Sequence, residues 1–288
     1  MGDPDLKKPS RTWIKTAITL GALALLTWLA PVAPLDPWNL VAPQKIASMI
    51  FALALIQAFG SIMGHALGAR TGAVLTGFFG GLVSSTATTA SLAKRSKGGS
   101  ETTIAAELLV FLSATCAMLF EGLALVLTGL SELHASLVVI FIGPIFATLA
   151  MIFVQYRQLK DRSEATDSAD FQILSILKLA LFILAILSIS KISQNLFGQN
   201  GLLVLTSLVS LFEIHGSVIA NVQLHESGTV SVHFLASLLA VSIVASYLSK
   251  IFLISTLGSS ALSSRAIQST LILIGSLAIS WAAALSIN

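Results

Sequence analysis

Apolar stretches of about bilayer length alternate along this chain with short polar breaks. A hydrocarbon core about 30 Å thick takes roughly 20 helical residues. The runs meeting that measure are 13–30, 45–66, 72–93, 102–130, 135–156, 171–193, 201–222, 229–257 and 265–287. Six of the seven prolines fall outside them, as helix breakers should. The seventh, Pro144, follows Gly143 and predicts a kink in the fifth run. Trp13, Trp28, Trp38 and Trp281 sit near run ends, where amphipathic rings favour the membrane interface.

The clearly polar connector is 157–170, with Arg157, Lys160, Asp161, Arg162, Glu164, Asp167 and Asp170. It divides the pattern into similar halves. The stretch Gly72-Ala-Val-Leu-Thr-Gly-Phe-Phe-Gly-Gly-Leu-Val-Ser-Ser-Thr-Ala-Thr-Thr parallels Gly201-Leu-Leu-Val-Leu-Thr-Ser-Leu-Val-Ser-Leu-Phe-Glu-Ile-His-Gly-Ser-Val, 129 positions later. Gly129 and Gly258 match at the same offset. The predicted organisation is an N-terminal helix (1–30), a first repeat (31–156), a cytoplasmic linker (157–170) and a second repeat (171–288).

Composition makes this a membrane protein. Hydrophobic residues are 55% of the chain and charged residues 10%, against about 25% charged in soluble domains, and mean hydropathy is +0.91. The first run follows Lys7, Lys8, Arg11 and Lys15 but lacks a small-residue cleavage site, so it reads as an uncleaved first helix. The single cysteine, Cys116, excludes an internal disulfide and reads as a small core residue.

Loop charge then decides between topologies. With nine crossings and a basic inside N-terminus, Lys94, Arg95 and Lys97 would lie outside, together with Arg157, Lys160 and Arg162. That breaks the positive-inside rule twice. If 72–93 and 201–222 are instead re-entrant hairpins, these basic groups and Arg70 become cytoplasmic. The outside loops 31–44, 130–134 and 194–200 then carry no Lys or Arg. The expected fold is therefore all-α and polytopic, with about seven crossing helices plus two re-entrant helical hairpins in two inverted repeats; nine crossing helices is the alternative. Gly80 and Gly81, followed by Ser84, Ser85 and Thr86 as helix caps, predict the first hairpin's break, and Glu213 to Gly216 the second's. Inverted repeats whose broken segments meet at mid-bilayer are a recurrent transporter design.

The run Gly80-Gly-Leu-Val-Ser-Ser-Thr-Ala-Thr-Thr, within Leu67 to Arg95, resembles a bacterial and archaeal membrane domain of unknown function found behind MgtC/SapB domains. The resemblance covers nearly the whole chain, without the MgtC/SapB half. It implies membrane residence and a link with ion homeostasis or transport, but no defined reaction. Where that family's second hairpin tends to carry two aspartates, this chain has Glu213 and His215. Where a basic residue is expected in the long fourth run it has Glu121, whereas Lys250 fits the pattern.

An ionisable side chain at the bilayer centre costs about 2.5–3.5 kcal/mol on insertion scales, so it needs a partner, water or a function. Glu213 and His215 are the first candidates for a cation ligand and proton carrier. Ser84, Ser85, Thr86 and Thr88 on the opposing hairpin would supply oxygens, although such residues also serve close helix packing. Gly80, Gly81 and Gly216 are break and packing residues. Glu121 and Lys250 occupy matching repeat positions and are secondary candidates. In inverted halves they are expected to lie roughly 15–20 Å apart in depth. Glu107, Lys178, Lys191, His65 and His233 read as snorkelling or interfacial.

The leading expectation is a transporter or ion-permeation protein for a small solute, a cation first, with proton coupling open. The rival is a non-transporting regulatory or scaffold subunit. No nucleotide loop, HExxH, paired-Cys motif or nucleophile elbow points to an enzyme. No cofactor or nucleic acid is expected, and the residues leave a metal ion open. The expected setting is a prokaryotic cytoplasmic membrane, N-terminus inside, with a homodimer or an MgtC/SapB-type membrane partner as candidate assemblies.

Overall fold

A computed structural model describes residues 9–36, 41–67, 72–158 and 173–287. Most of the expected linker 157–170 lies outside the described residues, as do Arg70 and the side chains of His65 and Lys191. The described residues form nine helical segments and no strand: α1 Pro9–Leu29, α2 Pro43–Leu67, α3 Ala73–Arg95, α4 Glu101–Gly129, α5 Ala135–Gln158, α6 Ile173–Phe212, α7 Ile214–Glu226, α8 Val232–Leu257 and α9 Ser260–Ser286. Local chemistry sets their starts. Pro43 opens α2, where the missing N–H costs nothing. Ser100, Ser231 and Ser259 cap α4, α8 and α9 by accepting the backbone N–H three residues on, each at 3.3 Å.

Among the described residues, six stretches are long and apolar enough to cross a membrane: Pro43–Met63, Glu101–Gly129, Ala135–Gln158, Ile192–Phe212, Val232–Leu257 and Ser260–Ser286. The chain is thus a multi-pass membrane protein. One of the six is not straight. Within α6, Gly198 has φ 60° and ψ −145°, a left-handed conformation open to glycine. A Cβ on Gly201 would lie 2.7 Å from the Ser193 carbonyl oxygen, so the chain doubles back sharply there. The expected loop 194–200 is therefore a correction: helix continues on both sides of a one-residue turn.

Two further breaks organise the bundle. In α3, Ser84 leaves the helix for extended backbone (φ −167°, ψ 103°), and its Oγ accepts the Ala87 N–H at 3.2 Å, capping the second half. Between α6 and α7, Glu213 is extended (φ −148°, ψ 100°) and caps α7 by accepting the His215 N–H at 3.0 Å. These residues are 129 positions apart, the offset of the sequence repeat. The first break comes three residues after the expected Gly81, because the glycines are used elsewhere.

At each break the two halves fold together. A Cβ on Gly80 would lie 3.0 Å from Thr88 Oγ1, whereas eight residues of continuous helix rise about 12 Å. Thr206 Oγ1 donates to Asn221 Oδ1 at 3.1 Å, across fifteen residues that would span about 22 Å if helical throughout. The first half of α3 lies along α4: Cβ atoms on Gly77 and Gly81 would fall 2.5 Å from Val110 O and 2.6 Å from Ala114 Cα. Glycines spaced by four let two backbones approach this closely. Both ends of α3 then share one apolar cluster, in which Ala73 joins Leu92 and Ala93 beside Ile104, Leu108, Ile254 and Leu262.

Polar pairs close the two ends of the bundle. At one end Arg95 forks onto Glu107 with two bonds of 2.8 Å, Arg265 pairs with Glu101, and Ser96 Oγ accepts the Ser259 N–H at 2.9 Å. Glu107 is therefore a buried ion-pair partner, not a snorkelling group. Lys178 and His233 are exposed. At the other end Lys45 and Ser131 both bond Glu226, and Gln194 Nε2 reaches the Thr229 carbonyl at 3.2 Å. Partial burial would raise the Glu226 pKa, but hydrogen bonds from Lys45 and Ser131 outweigh it and hold the carboxyl below its ordinary 4.5.

Candidate functional site

The break at Glu213 brings a set of ionisable side chains together inside the bundle. Because Glu213 leaves the helix, its carboxylate turns back over the first turn of α7 and meets His215 twice, through the backbone N–H and through Nδ1, each at 3.0 Å. Two residues apart on an unbroken helix would point away from each other; the extended residue lets them converge. The other ring nitrogen, Nε2, lies 3.2 Å from Glu121 Oε2 on α4. That contact is close but off the line of a hydrogen bond, so neither Glu121 oxygen nor Nε2 has an aligned partner. Glu121 is fully buried. A buried carboxylate without aligned donors is rare in a folded protein and calls for an explanation.

Lys250 completes the group. It is 1% exposed, and its Nζ donates to Ser246 Oγ at 2.7 Å and contacts Met118 Sδ at 3.0 Å. An ammonium carries three donors, and a thioether is a weak acceptor, so this cation is poorly satisfied by its neighbours. It lies within electrostatic reach of both Glu213 and Glu121. Met118 precedes Glu121 by one helical turn, so the Lys250 ammonium comes near the Glu121 level, although among the described residues no ion pair joins the two. The two long helices meet at Met118 and Ser246, whose Sδ and Oγ are 3.1 Å apart.

Counted with both carboxylates and the ammonium ionised and the imidazole neutral, the group would carry one formal negative charge. One added proton, or one monovalent cation, makes it neutral. The imidazole stands between the carboxylates, so the three groups do not converge on one point. Among the described residues no set of three His, Cys, Asp or Glu side chains is arranged to hold a metal ion. Accessibility is uneven: 40% of the Glu213 side chain is exposed, against 9% for His215 and 1% for Glu121. Glu213 is the outer member and Glu121 the inner one.

The polar residues of the first hairpin face no member of this group. Ser84 is a cap, the Ser85 carbonyl accepts Thr89 Oγ1 at 2.7 Å, Thr88 packs on Gly80, and Thr86 is exposed. Among the described residues, no hydrogen bond joins Ser84, Ser85, Thr86 or Thr88 to Glu213 or His215. Gly216 does have a packing role, since its Cβ would lie 3.2 Å from Leu179 and Phe182 Cδ1. Sequence reasoning missed a second polar layer just below the break. Asn221 Nδ2 approaches Ser217 at 3.5 Å and Ser242 at 3.4 Å, and these two hydroxyls are 3.2 Å apart. The signal was an amide in an otherwise apolar stretch, facing serines at repeat-equivalent positions to Thr88 and Ser113.

The family model described as a domain of unknown function, DUF4010, matches residues 52–258. The matched region contains the breaks at Ser84, Gly198 and Glu213 and all four ionisable side chains of the group. No curated protein and no solved structure matches the chain.

Proposed function

We propose that this chain, which belongs to the DUF4010 family, is a membrane carrier for a small cation with protons as the counter-substrate. The observation that carries this reading is the buried Glu121 carboxylate facing His215 Nε2 with no aligned partner for either. The contact, 3.2 Å long, suits a proton that comes and goes. A side-chain group serving structure alone would be stabilised by completing its hydrogen bonds, because a half-satisfied buried network costs more than an apolar one. In the proton-loaded state an imidazolium donates to both carboxylates, since only the charged ring has two N–H donors. In the cation-loaded state the ring is neutral and the ion takes the Glu121 carboxylate, which requires Nε2 to move away from its present 3.2 Å. Either occupant neutralises the group, so the two exclude each other and are exchanged.

The same reading takes α3 and the segment 199–226 as re-entrant hairpins entering from opposite faces. Three observations support it: both ends of α3 share one cluster, Gln194 and Thr229 meet at the other end, and the breaks fall at repeat-equivalent residues. Half-helices of about 15 Å reach the midplane of a 30 Å core. On this topology a cysteine replacing exposed Lys97 is labelled from the cytoplasmic face only, and one replacing exposed Glu132 from the outside only. The native Cys116 is buried and gives no background. Labelling of both from one face would contradict the arrangement.

Function is tested with purified protein in liposomes, using a panel of metal-ion and pH gradients. Wild type should carry ions, and Glu213→Gln should lose at least about tenfold of the flux while remaining folded, the effect of removing one charged partner. Flux in Glu213→Gln equal to wild type would remove Glu213 from the pathway. No flux under any gradient would favour the regulatory or scaffold reading.

A further inference from the structure

Away from the charged group, a cavity of about 600 Å³ opens between the ends of α4, α5 and α9. Its rim is polar: Glu101, Gln155, Arg265 and Gln268. Its floor, with Leu108, Met151 and Ile272, is apolar. Glu101 to Leu108, Arg265 to Ile272 and Gln158 to Met151 are each seven residues, about 10 Å of helix. All three helices therefore descend from a polar to an apolar level over the same depth. That distance matches the passage from headgroup to hydrocarbon, since the interfacial layer on each side is only several ångströms thick. The rim's one cation and one anion, Arg265 and Glu101, pair with each other, so the mouth is formally neutral but strongly dipolar.

We infer that this cavity binds a phospholipid with a primary-amine headgroup, of the phosphatidylethanolamine class. The phosphate would take the Arg265 guanidinium, the fork suited to it, and the ammonium would donate to Glu101 and to the glutamine carbonyls. The upper acyl chains would lie on Leu108, Met151 and Ile272. An anionic headgroup without an amine would leave Glu101 facing negative charge. A choline headgroup has no N–H to donate, and the lining contains no aromatic ring of the kind that recognises quaternary ammonium. The apolar floor argues for a lipid over a free phosphodiester.

The test uses the purified, delipidated full chain. Retention of phosphatidylethanolamine, phosphatidylcholine and phosphatidylglycerol is compared by native mass spectrometry, with soluble glycerophosphoethanolamine as a separate arm. The expected result is about tenfold preference for phosphatidylethanolamine over each other lipid, the worth of one charge-assisted hydrogen bond. Glu101→Gln should abolish that preference. Gln155→Leu, which leaves the Arg265–Glu101 pair in place, should weaken retention severalfold, with its thermal unfolding measured alongside. Equal retention of the three lipids, or a preference unchanged in both variants, would overturn the assignment. Soluble headgroup binding as tightly as the lipid would overturn the choice of a membrane ligand.

Discussion

Glu121→Gln should reduce coupled ion flux by about a hundredfold or more in liposomes, the largest functional effect expected of any single substitution here. Truncating one partner of a buried charged pair costs a binding event about 2–5 kcal/mol, because the remaining charge is stranded, and each 1.4 kcal/mol is about a factor of ten. In this protein the stranded groups are the His215 ring and the Lys250 ammonium. The amide keeps the shape of the carboxylate but can neither share a proton with Nε2 nor offset Lys250. Thermal unfolding separates the functional loss from misfolding. The double variant Glu121→Gln/Lys250→Met should be more stable than Glu121→Gln alone, since it also removes the buried ammonium left without a countercharge, and should still not transport. Normal flux in Glu121→Gln would exclude the inner carboxylate from the mechanism.

Gly81→Leu should destabilise the protein by on the order of 3 kcal/mol or prevent its folding, the top of the usual range for overpacking. A Cβ at that position would meet Ala114 Cα at 2.6 Å and Ala114 O at 2.9 Å. Backbone cannot rotate away as a side chain can. Gly80→Ala should be milder, because its nearest neighbour is the Thr88 hydroxyl at 3.0 Å, and Gly72→Ala should be neutral, with nothing within 4 Å. Detergent-phase melting of the three variants checks the order. A Gly81→Leu protein as stable as wild type would mean that α3 does not lie against α4 as described.

Much of the architecture is readable from the chain alone, for physical reasons. The solvent change from water to hydrocarbon writes itself into run lengths, so α2, α4, α5, α8 and α9 are legible to within about five residues. The 129-residue offset predicts equivalent positions, and Ser84 and Glu213 are the two break residues at that offset. Glycine identity is a weaker guide. Gly80 and Gly81 suggest a break, but the structure uses Gly81 for contact with α4 and breaks at Ser84, whose hydroxyl can cap a helix. The turn at Gly198 was hidden because Ser193 to Asn200 reads as an ordinary polar loop. Counting residues along α4 and α8 separates Glu121 from Lys250, but helix crossing and a long flexible side chain bring Lys250 to Met118. The Glu121–His215 contact could not be read from spacing, since it joins residues 94 positions apart through tertiary packing.

The central claim is that a proton and a small cation occupy the Glu121–His215–Glu213 group in turn. The most direct measurement is proton movement in liposomes containing the wild-type protein, driven only by an outward monovalent cation gradient with the membrane potential clamped. The account predicts that protons enter as the cation leaves, that reversing the gradient reverses their direction, and that Glu121→Gln liposomes show neither. Cation efflux with no accompanying proton uptake, or no movement of either ion, would contradict it.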